Sequence, residues 1–136
     1  MKKIFSIVLV LSLVMIMLIG CSSQSLSDKF DEDKVKSSAK NAITLFSNGE
    51  YDKFNELTRE DLKAGLSSDV LNDAKAQVMP NAGAFVEFSS ESVVGQKDKD
   101  GIEFATAVIV TKYENQKVTY TISFDENMKL VGFYLK

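Results

Sequence analysis

The chain has no histidine and no tryptophan, and only one cysteine and one proline among its 136 residues. Without histidine, neither a Ser-His-Asp nor a Cys-His mechanism can be assembled, and the commonest zinc ligand is missing. The lone thiol, Cys21, allows no disulfide within the chain, so the fold must stand on burial and hydrogen bonds. No Asp-x-Asp-x-Asp-Gly loop is present. The triplet Asp31-Glu32-Asp33 reads as a helix start and Asp98-Lys99-Asp100-Gly101 as a turn, so no metal and no cofactor is expected. Basic charge is scarce as well, with 16 Lys and Arg against 19 Asp and Glu. That balance argues against nucleic acid, which needs a basic face, and against a polybasic membrane contact.

What the chain does have is a distinctive beginning. Met1-Lys2-Lys3 is followed by an uncharged run over residues 4–19, interrupted by two serines, and then by Gly20-Cys21. In helical form that run spans roughly 24 Å, short of the ~30 Å hydrocarbon core, which suits a secretory signal better than a permanent span. Leu18-Ile19-Gly20-Cys21 resembles the lipobox of bacterial lipoproteins. There the cysteine thiol receives diacylglycerol and the leader is cut just before it. The competing reading is an uncleaved N-terminal anchor with Cys21 as a bystander. On the lipobox reading, residues 1–20 are a removed signal peptide, 21–27 a lipidated tether and 28–136 one α+β domain on the outer, extracytoplasmic face of the cell membrane. Loss of Lys2 and Lys3 leaves 14 basic against 19 acidic residues, a net charge of −5. Two or three acyl chains, at ~0.8 kcal/mol per buried methylene, would hold such a domain nearly permanently.

Along the domain the hydrophobic period is first helical. Val35, Ala39, Ala42, Ile43 and Phe46 form one stripe, with a start among residues 27–33 and a stop at Asn48-Gly49. Tyr51, Phe54 and Leu57 suggest a short second helix. Leu71, Ala74 and Val78, after Ser67-Ser68-Asp69, suggest a third that ends at Pro80 and Gly83. From Phe85 the pattern becomes strand-like, with strands over residues 85–94, 102–113, 118–124 and 129–135. The second is apolar on both sides and should be central. A hairpin around Glu114-Asn115 with a two- or four-residue loop puts Ala105, Ala107, Ile109 and Thr111 on one face with Val118, Tyr120, Ile122 and Phe124, whereas a bulge in it would swap the second-strand set. For the last strand, parity leaves open whether Leu130 or Val131 and Phe133 point inward. The expected architecture is α+β: two or three N-terminal helices on one face of a curved antiparallel sheet of about four strands, a cone-like roll.

Several short segments strengthen that expectation. Ala42-Ile43 to Phe46, Gly49 to Phe54, Leu71, Gly83-Ala84-Phe85, Phe124 to Asn127 and Lys129 to Phe133 together resemble domain of unknown function 3887, over about residues 34–135. That family occurs largely in lipoproteins and secreted proteins of Gram-positive bacteria. It belongs with the nuclear-transport-factor-2-like, or cystatin-like, folds. One departure is Ala74, where such sequences often carry a tryptophan. The resemblance implies a cone whose open end forms a pocket, and it implies no agreed activity.

Within such a cone, Tyr120 is the leading pocket residue, with Ile109, Ala107, Thr111 and Ile122 around it, since Ala105 and Ala107 leave space nearby. Equally, the small residues admit a helix close to the sheet and make Tyr120 a core residue with its hydroxyl satisfied at the rim. Glu87, Ser89 and Glu91 alternate along the first strand and could line a polar cleft, but a solvated sheet face is the preferred reading. The preferred function is non-catalytic: a membrane-anchored module binding a small apolar ligand or an envelope protein. The alternative is a small isomerase or hydrolase using a tyrosine and one of Glu87, Glu91 or Glu103. A spacer or stress-related surface protein with no discrete ligand is a third.

Overall fold

Asp31 begins the first helix for a local reason: its backbone is extended and its carboxylate accepts a hydrogen bond from the Lys34 amide at 3.0 Å. Helix α1 (Glu32–Ser47) buries Val35, Ala39, Ala42, Ile43 and Phe46, the stripe expected from spacing. It closes at Gly49, whose φ of +73° is open to glycine without strain. Helix α2 (Tyr51–Leu57) buries Phe54. A 3₁₀ segment (Glu60–Leu66), which the hydrophobic period did not predict, follows. It is tied to α2 by the Asn55 amide, which donates to the carbonyls of Lys63 and Leu66. Helix α3 (Ser68–Val78) is capped by Ser67, whose hydroxyl accepts from the Val70 amide.

The computed structural model describes residues 25–136. The charged start, the apolar run, the Leu18-to-Cys21 motif and most of the expected tether lie outside the described residues. Residues 25–27, expected to be tether, lie against the domain. Leu26 packs on the core, and the Ser27 hydroxyl donates to Glu103 at 2.9 Å. No described helix is long and apolar enough to cross a membrane.

Four strands, β1 (Phe85–Lys97), β2 (Glu103–Tyr113), β3 (Lys117–Phe124) and β4 (Leu130–Leu135), form an antiparallel meander in that spatial order. The β2–β3 hairpin has a two-residue loop, Glu114-Asn115, and pairs Ala105, Ala107, Ile109 and Thr111 with Phe124, Ile122, Tyr120 and Val118. All eight are buried and face the helices. Ala39 and Ala42 on α1 are as fully buried as Ala105 and Ala107 on β2, so helix and sheet approach closely. The expected α+β architecture, with three α-helices before a curved four-stranded sheet, is what the chain adopts.

The open question in the last strand has a structural answer. A bulge at Val131 pairs Leu130 with Phe124 and Gly132 with Ser123, after which Phe133 pairs with Ile122 and Leu135 with Tyr120. Leu130, Phe133 and Leu135 thus all face the core, although no strict two-residue period allows it. Phe133 is the hub of an aromatic cluster. Its ring centroid lies 4.8 Å from Phe54, 5.1 Å from Phe46 and 5.8 Å from Tyr120, joining α1, α2, β3 and β4.

Two further bulges break the alternation in β1. Glu87 pairs with Lys112 and Phe88 with Thr111, but Ser90 then pairs with Val110 and Glu91 with Ile109. The solvated face expected for Glu87, Ser89 and Glu91 is therefore divided. Glu87 stays on the outer face, while Glu91 joins Phe88 and Ile109 on the helix side and forms an ion pair with Lys40 of α1.

Candidate functional site

The five residues expected around a pocket, Tyr120, Ile109, Ala107, Thr111 and Ile122, are brought together on the inner sheet face and have no solvent exposure. They are core, and none lines a hollow described here. Tyr120 is packed edge-on against Phe46 and its hydroxyl reaches Tyr113 at 2.7 Å and Met79 Sδ at 3.6 Å. Tyr113 in turn reaches the Ser47 hydroxyl at 2.6 Å. In the Ser47–Tyr113 and Tyr113–Tyr120 bonds either hydroxyl can be the donor. Burial, reinforced by the bond with Tyr113, pushes the Tyr120 phenol well above its ordinary value. It is a structural hydroxyl, held neutral.

The hydroxyl chain runs from the core to a groove at the end of the sheet where β1 begins. One hollow, about 390 Å³, is walled by Ser47, Lys75, Met79, Gly83, Phe85 and Tyr113. A second, about 270 Å³, is walled by Ile43, Thr44, Ser47, Asn48, Phe85 and Phe88. Ser47, Asn48 and Phe85 belong to both, so the two form one groove between the C-terminal end of α1 and the start of β1. Phe85 is 49% exposed, yet its ring packs tilted against Phe88, 4.9 Å between centroids, and edge-on to Tyr113. The bulges place it there, because they allow Phe85 and Phe88, three residues apart, to turn toward each other.

Lys75 of α3 supplies the polar wall. Its ammonium donates to the Ser47 carbonyl at 2.6 Å, placing a cation at the C-terminal end of α1, where the helix dipole is negative. Among the described residues no carboxylate lies within 4 Å of it. Glu114 stands at the rim next to Gly83.

The three strand carboxylates lie elsewhere. Glu103 accepts from Ser27 and pairs with Lys29 at 3.3 Å, and the Ser27 bond, then the Lys29 bond, hold its pKa below the ordinary glutamate value. Glu91 is paired to Lys40, and Glu87 is exposed. None lines the groove. Among the described residues no group of three or more acidic or cysteine side chains is placed to hold a metal ion.

Sequence reasoning passed over Lys75, Ser47, Phe85, Phe88 and Tyr113. The spacing of Phe85 and Phe88 gave no signal, since in a regular strand residues three apart point to opposite faces and only the bulge brings them together.

A helix-backed, four-stranded antiparallel meander with a groove at one end defines the class of domain. The chain belongs to the family described as "Protein of unknown function (DUF3887)", whose family model matches residues 39–133. It is also similar to a solved structure described as "NMR structure of protein from Ruminococcus gnavus ATCC 29149". The identity is 28% and the TM-score 0.73, covering 82% of this chain and 96% of the other. No curated protein matches.

Proposed function

We propose that this protein is an extracytoplasmic lipoprotein, acylated at Cys21 and held on the outer face of the cell membrane. Its domain binds a small, mainly apolar ligand in the groove beside Phe85. The anchor is supported by the order of charge, apolar run, Gly20 and Cys21 in the first 21 residues. The binding role is carried by one observation: a half-exposed aromatic, Phe85, forms a wall shared by two joined hollows instead of being folded into the core. The alternative enzyme reading draws no support from the groove, since Glu87, Glu91 and Glu103 stand outside it and Tyr120 is held neutral in the core.

Two measurements test the two halves. Mass spectrometry of protein from membranes should find diacylglycerol on Cys21 with residues 1–20 gone, and Cys21→Ala should be neither processed nor retained. A bare thiol with the leader intact refutes the anchor. For the groove, titration with the neutral aromatic amide 4-phenylbutyramide should shift the amide resonances of Phe85 and Tyr113. Phe85→Ser should weaken binding roughly fivefold or more, the loss of about 1 kcal/mol of aromatic contact. Shifts spread over the outer sheet face, or none at all, refute it.

A further inference from the structure

The two ends of the groove differ in chemistry. One end is apolar, walled by Ile43, Phe85 and Phe88. At the other is Lys75, whose ammonium carries three N–H groups and spends one on the Ser47 carbonyl. The Ser47, Tyr113 and Tyr120 hydroxyls are bonded to one another in a chain, so the cation at this wall is Lys75. Lys75 and the exposed Asn48 amide are side-chain nitrogen donors at this wall. A ligand end placed against Lys75 must accept hydrogen bonds, since an ammonium can only donate. A negative one also supplies the counter-charge that the ammonium lacks within 4 Å among the described residues.

Building on the groove as the binding site, we propose that its ligand is a small amphipathic monocarboxylate. The carboxylate sits on Lys75, and the apolar or aromatic body lies along Phe85, Phe88 and Ile43. A single charge is the better match. Only one ammonium lines this wall, and the Glu114 carboxylate at the rim repels a dianion such as a phosphate monoester.

The test compares 4-phenylbutyrate with 4-phenylbutyramide, which share shape and differ in charge, on the full chain in lipid nanodiscs. Amide shifts of Phe85 and Tyr113 are the readout. The acid should bind at least about tenfold tighter than the amide, the usual scale for one charge-assisted contact. Lys75→Met should abolish that preference and leave the amide's affinity within about twofold. Glu114→Gln should tighten the acid about two- to threefold and leave the amide unchanged, which decides the matter even if Lys75→Met unfolds the end of α1.

Equal binding of acid and amide to the wild type overturns the proposal while leaving the groove reading intact. So does equal loss of both ligands in a folded Lys75→Met, the mark of a lysine that only caps α1. An acid affinity unmoved by Glu114→Gln overturns it too. If neither ligand binds, the groove reading itself fails, and this proposal with it.

Discussion

At the scale of single residues, Thr111 separates what a side chain's type predicts from what its surroundings impose. It lies on the inner face between Phe88 and Val118, fully buried, and its hydroxyl is the one buried side-chain oxygen or nitrogen among the described residues with no hydrogen-bond partner. An orphaned buried hydroxyl costs about 1–3 kcal/mol. Thr111→Val keeps the shape and removes the orphan, so chemical denaturation should show the variant more stable by about 1 kcal/mol. A loss of stability would mean that the hydroxyl has a partner. Tyr120 is the contrasting case. Its spacing placed it on the helix-facing side and its neighbours suggested a pocket, but whether the phenol faces a cavity or a partner depends on Tyr113 and Met79, seven and 41 residues away in the chain. No local pattern carries that information.

At the scale of elements, the helices were the most legible part. The stripe on α1, the caps at Asp31 and Ser67 and the stop at Gly49 all rest on interactions within one or two turns. Strand alternation was legible for β2 and β3 and failed in β1 and β4, because a bulge shifts parity without leaving a reliable residue signature. Gly95 belongs at this scale. It pairs with Ala105 on the inner face, and a Cβ there would overlap the Ser25 carbonyl, where the N-terminal segment crosses the sheet. Gly95→Ala should displace residues 25 and 26, cost roughly 1–3 kcal/mol and expose the segment before Phe30 to limited proteolysis. An unchanged cleavage pattern would show that the segment is not docked there.

For the whole molecule, the geometry relates the chain's entry point to its groove. The N-terminal segment arrives at the end of the sheet where Lys97 pairs with Glu103, whereas Phe85 and Tyr113 pair at the opposite end, ten β2 residues away. At ~3.3 Å per residue that is roughly 30 Å. Cys21 stands four residues before Ser25, a reach of about 14 Å when extended. On the proposed anchor, the β1–β2 loop lies nearer the bilayer than the groove does. A nitroxide on Asp100→Cys should therefore be strongly relaxed by nickel-chelating lipids, and one on Asn115→Cys only weakly. The reverse order would place the groove against the membrane. The amino-acid sequence by itself determined the helical stripe, the caps, the pairing face of β2 and β3, the family and the motif at Cys21, since each is written in neighbouring residues or a regular period. Only the tertiary structure decided that the expected pocket residues close into core and that a groove opens at Lys75, Ser47 and Phe85. Those outcomes depend on bulges and on contacts between residues far apart in the chain, where packing, not pattern, sets which side chain meets which.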